Sequence, residues 1–248
     1  MKKKNTIITA LIILLVAVGG LGYYFLSYVP HQEAVINFNK AVKTVQTKNK
    51  ALKSDIAKAE KLVKSNQQPL DTKTLDSLKA TVATAKSGLR KIPRVADKTK
   101  AINKQTKMLN QPIDYSKATQ SLADSSSAYT NSVRQLNQIT SPSQAFIEER
   151  LKEIPTITGI QSVTETVDGN DIIAKGSDGG GNVEVYKTAK EAESRNTYIS
   201  AFDGQGMLNP GSHYVYGTLV IRTSRYLTAS QQTALTNAIY NKLIEIKE

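Results

Sequence analysis

The sequence contains no cysteine. That excludes disulfides, thiolate metal sites, cysteine nucleophiles and a lipid anchor on an N-terminal cysteine. Tryptophan is also absent, and aromatic residues make up only 6% of the 248 positions. Two histidines leave a histidine-rich metal centre without ligands; no metal site is expected, and the chain shows no motif that calls for a cofactor. With 14 glycines and 7 prolines the chain is neither collagen-like nor low-complexity. No GxSxG elbow and no Walker loop is present. The length allows one or two domains.

What is present is positive charge, unevenly placed. Residues 1–30 carry three lysines and no acid. Residues 31–140 carry 20 Lys and Arg against 8 Asp and Glu, whereas residues 141–248 carry 10 against 13. The asymmetry marks a boundary near residue 140, between a basic part and a mildly acidic one.

Lys2, Lys3 and Lys4 precede an uncharged run from Thr6 to Val29. Its most apolar stretch, Ile7 to Leu26, would span about 30 Å as a helix, the thickness of a bilayer core. Tyr23, Tyr24 and Tyr28 stand at its end as an aromatic belt, and Pro30 is expected to stop the helix. Residues 1–30 therefore read as a transmembrane anchor with a cytoplasmic N-terminus, held in lipid through residues 6–28. Residues 31–248 would then lie outside the cytoplasm. The rival reading is a cleaved signal peptide, with Ala17 and Gly19 as its small residues.

Residues 31–140 read as a basic helical stalk. Val35, Phe38, Val42, Val45, Asn49, Leu52, Ile56, Ala59 and Val63 alternate steps of three and four, an a/d seam with Asn49 at an a position. Leu75, Leu78, Val82, Ala85, Leu89 and Ile92 resume the pattern, with Asp71 as N-cap and a kink expected at Pro93. Tyr115, Leu122, Tyr129, Leu136 and Ile139 carry it on. Three arms follow, 31–66, 71–110 and 114–140, joined by short links that favour antiparallel packing. The seam serves either the bundle's own core or a homo-oligomer through residues 35–63. The outer lysines suit anionic lipid or a wall polymer. Nucleic acid fits poorly, because basic residues are not interleaved with aromatics.

The texture changes at Ser141-Pro142-Ser143-Gln144, where Ser141 is the expected N-cap and Gln144 the capping-box partner. Strands are expected at 159–167, 172–174, 183–186 and, most strongly, at 213–223. Helices are expected over 188–202 and from Thr228 to Lys247, the latter capped by Thr228 with Gln231. The whole is α+β: a transmembrane helix, a helical bundle or coiled-coil stalk, then a small α/β domain with a three- or four-stranded sheet over 141–248.

The stretch KGSDGGGNVEVYKTAKEAESRNTYISAFDG, followed by GSHYVYGTLVIRTSRYLTASQQTALTNAI, resembles a C-terminal domain of membrane-anchored or secreted proteins of Gram-positive bacteria. The resemblance covers about residues 141–247. It implies an envelope location and a discrete domain, and it transfers no catalytic residue.

The candidate ligand site is the glycine-rich stretch with Ser177, Asp178, Gly179, Gly180 and Gly181, together with Arg222. Successive backbone N–H groups can form an anion nest, and an arginine can grip a carboxylate or phosphate. The competing reading is a bulged connection between strands. Ser212 and His213 adjoin, but neighbours on a strand point to opposite faces, which argues against a catalytic pair. The expectation is a non-enzymatic envelope protein whose stalk presents a C-terminal domain to an unidentified protein partner. The alternatives are a cell-wall enzyme or enzyme regulator with a polar site at 176–181, and an oligomeric scaffold.

Overall fold

The computed structural model describes residues 18–20, 22–165, 169–176 and 179–247, without the side chains of 162–165, 169–176 and 179. Most of the expected anchor, residues 1–17 and 21, lies outside the described residues. Among the described residues no helix is long and apolar enough to cross a membrane.

Pro30 does not end a helix. A π-helical turn, Tyr24–Tyr28, leads directly into helix α1, Val29–Lys64. The Val29 N–H reaches back five residues to the Tyr24 carbonyl. Proline has no N–H, and its ring would press on the carbonyl four residues back; the widened turn relieves that conflict. The helical path therefore continues where the proline was expected to stop it.

The chain folds as two compact units. The first comprises Met1–Lys61 and Lys79–Asp124; the second comprises Leu62–Leu78 and Ser125–Glu248. The charge boundary near residue 140 falls inside the second.

In the first unit α1 buries Ala34, Phe38, Ala41, Val45, Asn49, Leu52, Ile56 and Ala59. The heptad seam holds at Phe38 and from Val45 to Ala59, Val63 being only half-buried, while Ala34 and Ala41 replace Val35 and Val42 in the deepest positions. Small residues let the backbone approach Ile102 and Leu109, with Val35 and Val42 packed at the margin of that cluster.

The expected arm 71–110 is two helices, α2 (Thr72–Ser87) and α3 (Thr99–Leu109). The break falls at Gly88, five residues before Pro93. An extended segment follows, and three side chains peg it. The Asn49 amide donates to the Arg90 carbonyl at 2.9 Å, the Tyr115 hydroxyl donates to the Asn49 carbonyl oxygen at 2.6 Å, and the Arg90 N–H donates to the Tyr115 hydroxyl at 2.8 Å. Gln105 bridges the Ala96 N–H and the Arg94 carbonyl. These bonds satisfy a backbone stretch that has no helix or sheet of its own.

Asn49 thus uses its amide inside the chain. Asn49→Leu should leave the Arg90 carbonyl without its donor and the Tyr115 O–H without its acceptor, at a cost of about 1–3 kcal/mol. Urea unfolding of the full chain measures that loss. Sedimentation of the same variant should show no change of oligomeric state.

Helix α4, Ser116–Gln138, completes the helical part. In the second unit Leu122's successors Tyr129, Ser132 and Val133 are buried. Ser132 accepts the Asp71 N–H at 2.8 Å, and Asp71 in turn caps α2 by accepting the Lys73 N–H at 3.0 Å.

The remaining elements are α5 (Gln144–Lys152), β1 (Gly159–Glu165), β2 (Gly169–Gly176), β3 (Gly179–Val185), α6 (Ala189–Ser200), β4 (Ser212–Tyr216), β5 (Leu219–Thr223) and α7 (Ala229–Ile244). Mixed helix and sheet agrees with the expected α+β class. The sheet has five strands, one more than the largest expected count, in the order β1-β2-β3-β5-β4, with every pairing antiparallel. The extra strand arises at Gly217. The expected strand 213–223 folds back there with a φ of +61°, forming a two-residue hairpin loop. The start of α5 also differs. Ser143 is its cap, accepting the Phe146 N–H, because Ser141 is drawn off to the hairpin, where its N–H donates to the Thr218 hydroxyl at 2.6 Å.

Alternation along β3 and β5 divides two packed faces. Val183, Leu219 and Ile221 join Ile147 and Leu151 of α5 and Ile239 and Leu243 of α7 in the main core. Val220 points the other way, to Ala192 and Ile199 of α6 and to Tyr186. Both α6 and α7 begin with complete capping boxes, Thr188 with Glu191 and Thr228 with Gln231.

Candidate functional site

Glu184 stands between Val183 and Val185 on β3, and the alternation that sends both valines into the main core sends Glu184 toward α6. It is 1% exposed. A bare carboxylate there would be very costly, and four donor groups answer it. The Tyr186 hydroxyl and Arg195 Nε donate to Oε2 at 2.7 and 2.9 Å. Arg222 Nη1 and Arg195 Nη2 donate to Oε1 at 2.6 and 3.4 Å. Burial pushes the Glu184 carboxyl up; the bonds from Arg195, Tyr186 and Arg222 outweigh it and hold the group below the usual glutamate value.

A second polar group lies on β4. His213 Nδ1 is 2.7 Å from Asn196 Oδ1, and Nε2 is 3.1 Å from Asp203 Oδ1. Register pairs His213 with Arg222 across the β4–β5 hairpin. Ser212 faces away from this group, and its hydroxyl lies 2.5 Å from the Thr223 hydroxyl. The two adjoining residues therefore do not form a nucleophile and base, as the strand period predicts.

The glycine run divides between the described and undescribed residues. Ser177 and Asp178 lie outside them. Gly179, Gly180 and Gly181 open β3, paired with Gly176, Lys175 and Ala174 of β2. Gly181 also pairs with Thr223, and the Gly180 carbonyl accepts the Ser224 N–H at 2.7 Å. A Cβ on Gly181 would sit 2.5 Å from the Arg222 carbonyl oxygen. Close approach of β5 is thus what this glycine permits. Arg222 lies on the neighbouring strand, and its guanidinium is turned to Glu184.

Sequence reasoning singled out Arg222 but not Glu184, Arg195 or Tyr186. The one signal was Glu184 between Val183 and Val185; on a strand covered on both faces such a carboxylate must be paired, but the alternation alone reads equally as a solvent-facing side.

A cavity of about 460 Å³ in the second unit is lined by Gln67, Leu136, Asn137, Lys187, Thr188 and Thr218 among others, away from the glycine run and Arg222. The α6 N-terminus beside it is already filled, because Glu191 accepts the N–H groups of Lys187 and Thr188. Large apolar groups meanwhile stand in solvent at the end of α6 and beyond it. Tyr198, Met207 and Leu208 are 60, 86 and 66% exposed, and the Tyr198 and Phe202 rings meet edge to face at 5.4 Å. Comparison with protein-family models, with curated proteins and with solved structures finds no match to this chain.

Proposed function

We propose that the chain is a non-enzymatic, membrane-anchored extracytoplasmic protein of the cell envelope, whose helical part carries a C-terminal binding domain. One observation carries the binding role: the exposed apolar set Tyr198, Met207 and Leu208, in a chain with few aromatics. Exposed aromatic and methionine side chains are enriched at protein interfaces. Supporting it, the strongest polar groups of the domain are bound to each other, Glu184 with two arginines and His213 with Asn196 and Asp203. The anchor is the apolar run of residues 6–28, and the chain beyond it would lie outside the cytoplasm. The resemblance noted above points to the same location.

The test uses the full chain in intact cells. A photo-cross-linker at Met207 should trap a discrete protein adduct that external protease can digest. Tyr198→Ser combined with Leu208→Ser should abolish the adduct while membrane retention is unchanged. An adduct indifferent to those substitutions removes the binding role from this surface, and an adduct shielded from external protease removes the envelope assignment.

A further inference from the structure

Lys43, Lys50, Lys53 and Lys61 follow one another on α1 at steps of seven, three and eight residues. At 3.6 residues per turn these steps keep all four within about 80° on the solvent side of the helix, away from its buried stripe, over about 27 Å. All four are exposed. The nearest acids on α1 are already engaged, Asp55 with Lys58 at 3.2 Å and Glu60 with Lys86 at 2.5 Å. The four lysines have no carboxylate partner among the described residues.

At the middle of this flank the surface is concave. Lys50 and Lys53 line a crevice of about 350 Å³ with Gln46, Asn49 and Ile92. Ile92 belongs to the extended segment after Gly88, which the Asn49–Arg90–Tyr115 triangle fixes in place. The far wall of the crevice is therefore held by part-buried hydrogen bonds.

Lysines three apart on a helix have Cβ atoms about 5–6 Å apart, close enough for both ammonium groups to reach one phosphate. We propose that this flank is a binding track for a linear phosphodiester polymer, with one phosphate seated between Lys50 and Lys53 and its neighbours on Lys43 and Lys61. The Gln46 amide adds a neutral donor at the seat. A bilayer is the poorer occupant. Helices that lie on membranes set several bulky apolar residues among their lysines, and between Lys43 and Lys61 this flank carries only Ala57, with the 37% exposed Ile92 across the crevice. Bases are not read either, because the flank has no aromatic residue or arginine for stacking. The track is independent of the C-terminal surface and of the anchor.

The test measures binding of fluorescent poly(glycerol phosphate), about twenty repeats long, to the full chain in neutral detergent. Polyglutamate of equal charge and phosphatidylglycerol vesicles serve as competitors. Lys50→Gln with Lys53→Gln should weaken binding about tenfold and lower the salt slope by about 1 to 2. Lys104→Gln with Lys107→Gln, an exposed pair of the same spacing on α3, should weaken it less than twofold. All four side chains are exposed, so helicity by circular dichroism should not change. Equal losses from the two pairs would reduce the effect to net charge and overturn the proposal. So would equal competition by polyglutamate or vesicles, or no binding at all.

Discussion

Glu184→Ala is expected to cost the fold about 3 kcal/mol, the low end of the range for breaking a buried ion pair. The low end applies because its partners retain contact with water: the Arg195 and Arg222 side chains are 23 and 24% exposed. Glu184→Gln should lose nearly as much. Both carboxylate oxygens receive guanidinium donors, so the amide nitrogen of glutamine must face at least one of them wherever it turns. Arg222→Ala should cost less than either, since Arg195 and Tyr186 still hold the carboxylate. Urea unfolding of the full chain at neutral pH ranks the three.

The same residue sets a pH dependence. Its folded-state pKa lies below the ordinary value, so its contribution is complete above the unfolded value and disappears as the pH falls through the folded one. The gap in stability between the natural chain and Glu184→Gln should therefore be widest near pH 7 and should close in acid, below about pH 4. A gap of constant width from pH 7 to pH 3 would mean that shape, and not charge, holds this cluster together.

Periodicity and capping made much of the fold legible in advance. Val45 through Ala59 follow the heptad, Asp71 caps α2, and Thr228 caps α7 with Gln231, because each depends on residues a few positions apart. What was not legible depends on contacts across the chain. Pro30 is a stop signal by itself, but a π-turn before it lets the helix continue. Gly88 and Pro93 are both breakers. The earlier one acts because Asn49 and Tyr115, distant in sequence, are placed to satisfy the segment that follows. Arg222 was visible as a cation, yet its partner is 38 residues away, and only the β3–β5 register brings them together. Of the glycine run, the sequence could show flexibility but not which neighbour Gly181 must admit.

Gly217 is the most instructive of these misreadings, and it carries the second large effect. The segment from His213 to Thr223 has the composition of one strand, and a residue with a Cβ at Gly217 would favour that reading. Gly217→Ala should cost about 1–2 kcal/mol for holding an L-residue at positive φ. It meets a second obstacle in the Ile139 carbonyl oxygen, 2.6 Å from where the new methyl must go. That oxygen accepts the Thr218 N–H at 3.1 Å and lies 3.3 Å from its hydroxyl, so moving it weakens the link between the hairpin and the end of α4. About 1 kcal/mol more follows from that link, giving a total near 3 kcal/mol. Gly204→Ala separates the two causes. Its φ is also positive, +73°, but nothing lies within 4 Å of the added carbon, so only the conformational cost applies. Denaturant midpoints of the two variants should differ in that order. If they fall together, the Ile139 contact contributes nothing and the hairpin is held by its own turn alone.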